Sequence, residues 1–212
     1  MKNKVLVEKW DRKEIFDFFS SYDDPYTGVT TPINITNIIK YIKDNDITFY
    51  EMLCYIILQS INDIDEFKYC LEQGKVYKYD HINLSCTVLD SNNIMQFTNS
   101  IKYSNELKLF LKNFRKEKQD AELLIKDKEI QSVNNIYISC APWFRITSVK
   151  HPSDFKNIDS NPRITWGKIY QIQNDQYIDL SIQVNHAFQD GYHIGLFIKN
   201  IESKIDELRW SL

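Results

Sequence analysis

Ile178, Leu180, Ile182 and Val184 stand at alternate positions, and the next place in that row is taken by His186. Period-two alternation of aliphatic residues specifies a strand with one face on a hydrophobic core. The chain must therefore carry a sheet whose buried row ends in an imidazole. Asp190-Gly191 follows, and then Ile194, Phe197, Ile198, Ile201, Ile205 and Leu208 recur at helical spacing, which predicts a closing amphipathic helix.

The same reading along the chain predicts helices and strands interspersed. Asp11 and Glu14 have capping-box spacing ahead of a short helix through Phe16, Phe18 and Phe19 that stops before Pro25. "TPINIT" reads as extended and "NIIKYIKDN" as a short helix. Thr48 and Glu51 form a second capping-box pattern in front of "FYEMLCYIILQSI", which is apolar nearly all round and predicts a buried helix. Ile82, Leu84, Cys86 and Val88 share one face of a strand. Ser104 stands at the cap of a helix over "NELKLFLKNFRKEKQDAELL", with Leu107, Phe110, Leu111 and Phe114 on one side and lysines on the other, a solvated face. "NNIYISCAPWF", "RITWGKIYQI" and "QYIDLSIQVNH" read as three further strands. The expectation is an α/β (α+β) fold, a mixed β-sheet flanked by helices, in a single domain over residues 1–212.

Composition restricts the function. The formal charge of -3 provides no global basic field for nucleic acid. Charges lie within a few residues of the short "VLV" run near the start, so neither a signal-peptide core nor a membrane span is expected there, and a cytoplasmic location follows. With Cys54, Cys70, Cys86 and Cys140 scattered and no CxxC pair, the expectation is reduced thiols, without disulfides or zinc.

His186 sits at the buried parity of its strand, just before a turn and a helix. Partial burial, with a hydrogen bond at one ring nitrogen, would hold a neutral imidazole whose other nitrogen accepts a proton, as a general base requires. Residue type alone favours a core histidine satisfied by backbone. Asp190 fits a turn or helix-cap residue, and His193, at i+4 to Phe197, fits packing. A metal site from His186, Asp190 and His193 matches no standard zinc spacing.

"NHAFQDGYH" resembles the His-x-x-x-Asp-Gly signature of the chloramphenicol acetyltransferase family, which also occurs in the acyltransferase cores of 2-oxoacid dehydrogenase complexes. Three other segments follow that family's order: "WDRKEIF" is similar to its Trp-x-Arg-x-x-x-Phe helix, "ISCAPWF" to its Ser-x-x-Pro-Trp strand, and "ITWGKIY" to its Thr-Met-Gly-Lys-Tyr strand. "DEFKYCLEQGKVYKYDHINLSCTVLD" also follows the family's middle pattern, so the resemblance spans essentially the whole chain.

The resemblance implies an acetyl-CoA-dependent O-acetyltransferase that inactivates chloramphenicol by direct transfer, without an acyl-enzyme and without a metal. It implies a homotrimer with active sites between subunits, where the hydroxyl acceptor and acetyl-CoA enter from opposite sides. Carried over, His186 is the general base, Ser139 the donor to the oxyanion, and Thr165 a support of the intermediate through a water. Asp190 and Arg12 match an ion pair that braces the catalytic loop. Asn185 replaces the first histidine of the family's usual pair, Trp166 its methionine and Phe19 a tyrosine; Arg145 stands where a smaller or neutral residue is common, and "SSYDDPYTGV" departs from the stretch that lines the acceptor pocket. Two further readings follow from these departures: an acetyltransferase for a different small hydroxylated acceptor, or a catalytically silent trimeric binding domain.

Overall fold

The computed structural model describes residues 1–121, 133–154 and 156–211, with residues 210 and 211 described without their side chains. The tail of the predicted lysine-faced helix, residues 122–124, lies outside the described residues.

The aliphatic row forms the longest strand, β10 (Asp175–Asn185), and His186 lies one residue past its end. β10 is flanked on one side by β2 (Tyr26–Asn34) and on the other by β8 (Arg163–Trp166), both antiparallel to it. β7 (Asn135–Cys140) and β5 (Asn83–Leu89) continue the sheet in parallel, and β6 (Met95–Phe97) closes that edge antiparallel. The order β2-β10-β8-β7-β5-β6 is a mixed sheet, as the interspersed pattern predicted.

The two faces of this sheet differ in kind. Ile33, Ile136, Ile138, Ile164, Ile178, Leu180, Ile182 and Val184 point to one side and are buried with the apolar residues of α3 (Phe49–Asn62), α4 (Leu107–Gln119) and α5 (Gly191–Glu207). Register places Thr30, Ser181, Thr165 and Ser139 in a line across the other side, and the Thr87 hydroxyl joins its end by donating to Ser139 Oγ at 3.1 Å. Five hydroxyls thus cross five strands on the face opposite the aliphatic core.

Several local signals act as expected. Thr48 Oγ1 accepts the Glu51 amide at 3.2 Å while Glu51 Oε2 accepts the Thr48 amide at 2.8 Å, so both halves of that capping box form and α3 starts where predicted. α2 (Thr36–Lys43) matches the short helix read from "NIIKYIKDN".

Others do not. α1 (Lys13–Ser20) is capped at Arg12, which puts Glu14 one place too early for the expected box with Asp11. Ser104 accepts the Glu106 amide at 3.1 Å in a turn before α4 and does not cap it. "RITWGKIYQI" is two strands, β8 and β9 (Tyr170–Ile172), because the chain bulges between its pairings with Leu180 and Tyr177. Gly167 sits in the bulge, where a Cβ would meet the Phe144 carbonyl oxygen at 2.8 Å.

A second, three-stranded sheet was not anticipated. β1 (Lys2–Lys4) pairs with β4 (Lys75–Tyr79), and β4 with β3 (Tyr69–Glu72) through a two-residue turn. Gln73 and Gly74 both take positive φ there, 49° and 72°, as a tight hairpin of this twist requires. Val76 of this sheet, with Ala187 and Phe188, forms a small core that Trp10, Phe16, Phe19 and Tyr69 pack against. Its position decides its importance, because it lies directly under the chain that follows His186.

Candidate active site

Phe188 anchors that chain. It is 1% exposed and packs edge-on against Phe16, centroids 5.5 Å apart, and against Trp10 at 6.2 Å. Arg12 ties the backbone from the other side: Nε donates to the Ala187 carbonyl at 3.1 Å, Nη2 to the His186 carbonyl at 3.2 Å, and Nη1 to Asp190 Oδ2 at 3.0 Å. A single planar guanidinium thereby spans the whole turn after the histidine, which a lysine cannot do.

Asp190 has a second task. Its side chain accepts the Tyr192 amide at 3.0 Å and caps α5, with His193 Nδ1 3.2 Å from the Asp190 amide as the reciprocal contact. Burial acts to raise its carboxyl pKa, but the hydrogen bond from Arg12 and the nearby positive charge outweigh it, and the group lies below the ordinary carboxylate value. Asn185 also holds the turn. It is 2% exposed, accepts the Ala187 amide at 3.0 Å and donates to the Asp159 carbonyl at 2.9 Å.

His186 itself is half-buried, with its amide donating to the Pro25 carbonyl at 2.8 Å. The ring is stacked on Phe19, centroids 3.9 Å apart and planes 9° from parallel. Its Nδ1 is buried without a hydrogen-bond partner among the described residues, so the expected ring-nitrogen bond is replaced here by stacking. Nε2 is the nitrogen that the chain leaves unenclosed.

Ser139 and Thr165 are opposite one another on β7 and β8. Thr87 Oγ1 lies 3.1 Å from Ser139 Oγ, and with Thr87 as the donor of this pair the serine proton is available to a ligand. Two grooves meet at this serine and share Thr87 and Met95. One, of about 540 Å³, runs past Tyr50, Val88, Pro142 and Trp143; the other, of about 470 Å³, past Phe97, Tyr137, His151 and Arg163. A further cavity, of about 690 Å³ around Asn34, Lys40, Glu202 and Arg209, lies at the opposite end of β10 from His186 and holds none of these groups.

Cys140, next to Ser139, has its thiol pushed up to about 12 by burial, which makes it a poor nucleophile. All four cysteines are free. Among the described residues, no cluster of three or more His, Cys, Asp or Glu could hold a metal ion.

The predicted site residues therefore form two groups. Arg12, His186 and Asp190 are in direct contact, and Ser139 and Thr165 are neighbours. Ser181 is the residue opposite Thr165, and His186 stands five places further along, roughly 16 Å at the rise of an extended strand. A single chain does not bring the two groups together.

A family model described as chloramphenicol acetyltransferase matches residues 2–202. The chain belongs to the chloramphenicol acetyltransferase family. It is similar to the chloramphenicol acetyltransferase of Staphylococcus intermedius, 32% identical with 97% of this chain and 98% of that one covered, and to that of Proteus mirabilis, 28% identical over 96% and 94%. A solved chloramphenicol acetyltransferase superposes with a TM-score of 0.86 at 23% identity, covering 97% of this chain and all of that one. The cubic core of a pyruvate dehydrogenase multienzyme complex shares the fold at a TM-score of 0.66 and 11% identity, over 98% of this chain and 91% of that one.

Two departures from the family pattern find a structural explanation. Trp166 is 1% exposed, on the core face beside Tyr50 and opposite in parity to Thr165, so it does not line the hydroxyl face. Arg145 stacks 3.7 Å over the Tyr170 ring and donates to both carboxyl oxygens of Asp179, at 2.9 and 3.2 Å. Thr87 and His151 went unread as site residues; His151 is isolated in a turn-rich segment and offers no periodic signal.

Proposed function

We propose that this acetyltransferase-family chain moves the acetyl group of acetyl-CoA to a hydroxyl of chloramphenicol, with His186 as general base. His186 Nε2 takes the proton of the acceptor hydroxyl as its oxygen attacks the thioester carbonyl. The carbonyl oxygen becomes an oxyanion, to which the Ser139 hydroxyl donates; Thr165 supports the same intermediate through a water. On collapse the C–S bond breaks, and the coenzyme A thiolate recovers the proton from the imidazolium. The observation that carries this reading is the Arg12 clamp on the His186 and Ala187 carbonyls and on Asp190, which fixes a half-buried imidazole with one unenclosed nitrogen.

The separation of His186 from Ser139 and Thr165 supports a reaction carried out between copies of the chain. The polar sheet face, opposite the helices, and the two grooves that meet at Ser139 would supply one wall, and the His186 loop of another copy the other. A homotrimer closes such a head-to-tail contact with three equivalent sites. The grooves meeting at Ser139 would admit acetyl-CoA and the acceptor from opposite sides. The residues act as one folded domain over 1–212, in the cytoplasm where acetyl-CoA is available.

The test is thiol release from acetyl-CoA with and without chloramphenicol, for the wild type and His186→Ala. Drug-dependent release that falls by several orders of magnitude in the variant is expected. Release within a few-fold of wild type in His186→Ala would sink the general-base assignment. A folded protein that releases thiol only with another alcohol would move the acceptor, leaving the chemistry in place.

A further inference from the structure

The groove beside Ser139 contains a second imidazole that the reaction above does not use. His151 comes from the segment between β7 and β8, and its backbone amide donates to Gln183 Oε1 at 3.1 Å. Gln183 is 6% exposed on β10, on the hydroxyl face and directly opposite Arg163. That bond pins the loop over the row of hydroxyls, and His151 Nε2 lies 3.3 Å from Thr165 Oγ1.

We infer that His151 is a positioning residue of the acetyl-transfer site, fixing the rotation of the Thr165 hydroxyl by a hydrogen bond to its Nε2. This rests on the reading that Thr165 serves the intermediate. A threonine hydroxyl is a rotor with one proton to give and two lone pairs to fill. With Nε2 as acceptor, the hydroxyl proton is committed and its lone pairs face a bridging water; with Nε2–H as donor, the proton is free for that water. Either tautomer leaves one orientation where there would otherwise be several, and a pre-set dipole needs no reorganisation as the oxyanion develops.

The surroundings favour a neutral ring. Burial, and after it the positive charge of Arg163, hold the His151 pKa below the ordinary imidazole value. Arg163 is itself fixed, with Nη2 2.6 Å from Asp159 Oδ2 and Nη1 donating to the Asn161 carbonyl at 3.1 Å. The charged pair is thus engaged with itself, and the imidazole is the polar group of this wall that touches Thr165.

A double-mutant cycle tests the inference, using acetyl-CoA and chloramphenicol as substrates and a thermal melt to verify folding. His151→Leu is expected to lower kcat roughly three- to tenfold, the equivalent of one hydrogen bond, with KM for both substrates near wild type. In a Thr165→Val background the same change should cost less than about twofold, because its target is gone. His151→Gln, whose amide can still bond the hydroxyl, should retain most of the wild-type kcat. Multiplicative losses in the double variant, or a raised acceptor KM at unchanged kcat, would overturn the positioning role. A second readout does not depend on turnover: the imidazole 15N resonances of His151 should shift on Thr165→Val. Wild-type protein that is inactive with chloramphenicol yet shows this shift would remove the proposed acceptor and keep the contact; an unchanged resonance would remove the contact itself.

Discussion

The imidazole of His186 lies flat on the ring of Phe19, 3.9 Å between centroids and 9° between planes. One face of the imidazole is therefore covered and its plane is set, although Nδ1 has no partner among the described residues to do this. Offset-stacked or edge-to-face ring pairs contribute about 0.5–1.5 kcal/mol beyond their buried area, which bounds what this stack can supply. Phe19→Leu, which keeps apolar bulk and removes the stack, is expected to lower kcat roughly three- to tenfold with KM for acetyl-CoA nearly unchanged. Steady-state kinetics decide it; an unaltered kcat would mean that backbone bonds alone orient the ring.

Arg12 provides those backbone bonds, with three acceptors on one guanidinium. Arg12→Lys keeps the charge and loses the geometry. We expect it to cost about 2 kcal/mol of stability in urea denaturation, close to the loss in Arg12→Ala, since one ammonium cannot reach the same set. Recovery of most of the wild-type stability by lysine would show that charge opposite Asp190, and not the span across the turn, is what matters.

These relationships were unequally legible in the sequence. Alternation through Val184 put His186 at a strand end, and Asp190 before Gly191 announced a cap. Thr48 and Glu51 fixed the start of α3 because a capping box is local. The β3–β4 hairpin carried its signal in Gln73-Gly74, but its strands mix aromatic and charged residues and show no clean aliphatic row. Trp166 stands on the face opposite Thr165 because adjacent strand residues point to opposite sides, a consequence of parity alone. By contrast, nothing in one sequence says that β7 and β8 are neighbours, so the pairing of Ser139 with Thr165 depended on the family resemblance. His151 was invisible for a different reason: its position over Thr165 is set by Gln183, thirty-two residues away.

The same histidine predicts a pH dependence. Burial and Arg163 lower its pKa in the folded chain, so the unfolded chain takes up the proton first as pH falls. Stability from this group is complete above its unfolded value of about 6.5 and is lost as pH falls through that value toward the lowered one. Urea midpoints measured at fixed protein concentration between about pH 7.5 and pH 5 should fall more steeply for wild type than for His151→Gln. Parallel slopes would mean that His151 is as free to ionise in the folded chain as in the unfolded one.

The distance between the two halves of the site makes the strongest demand on assembly. If His186 of one copy works with Ser139 and Thr165 of another, two inactive variants can repair each other. His186→Ala retains an intact hydroxyl face, and Ser139→Ala retains an intact base; losing an oxyanion donor alone costs roughly a hundred- to a thousandfold in kcat. Unfolding and refolding the two in equal amounts scrambles the copies. In a closed head-to-tail ring, about a quarter of the sites then combine a good base with a good hydroxyl face, and activity should return to about a quarter of wild type. Sedimentation of the same mixture should show one species of three copies. Activity that stays at the level of the separate variants, in a mixture that has exchanged copies, would confine each site to a single chain and contradict the separation along β10.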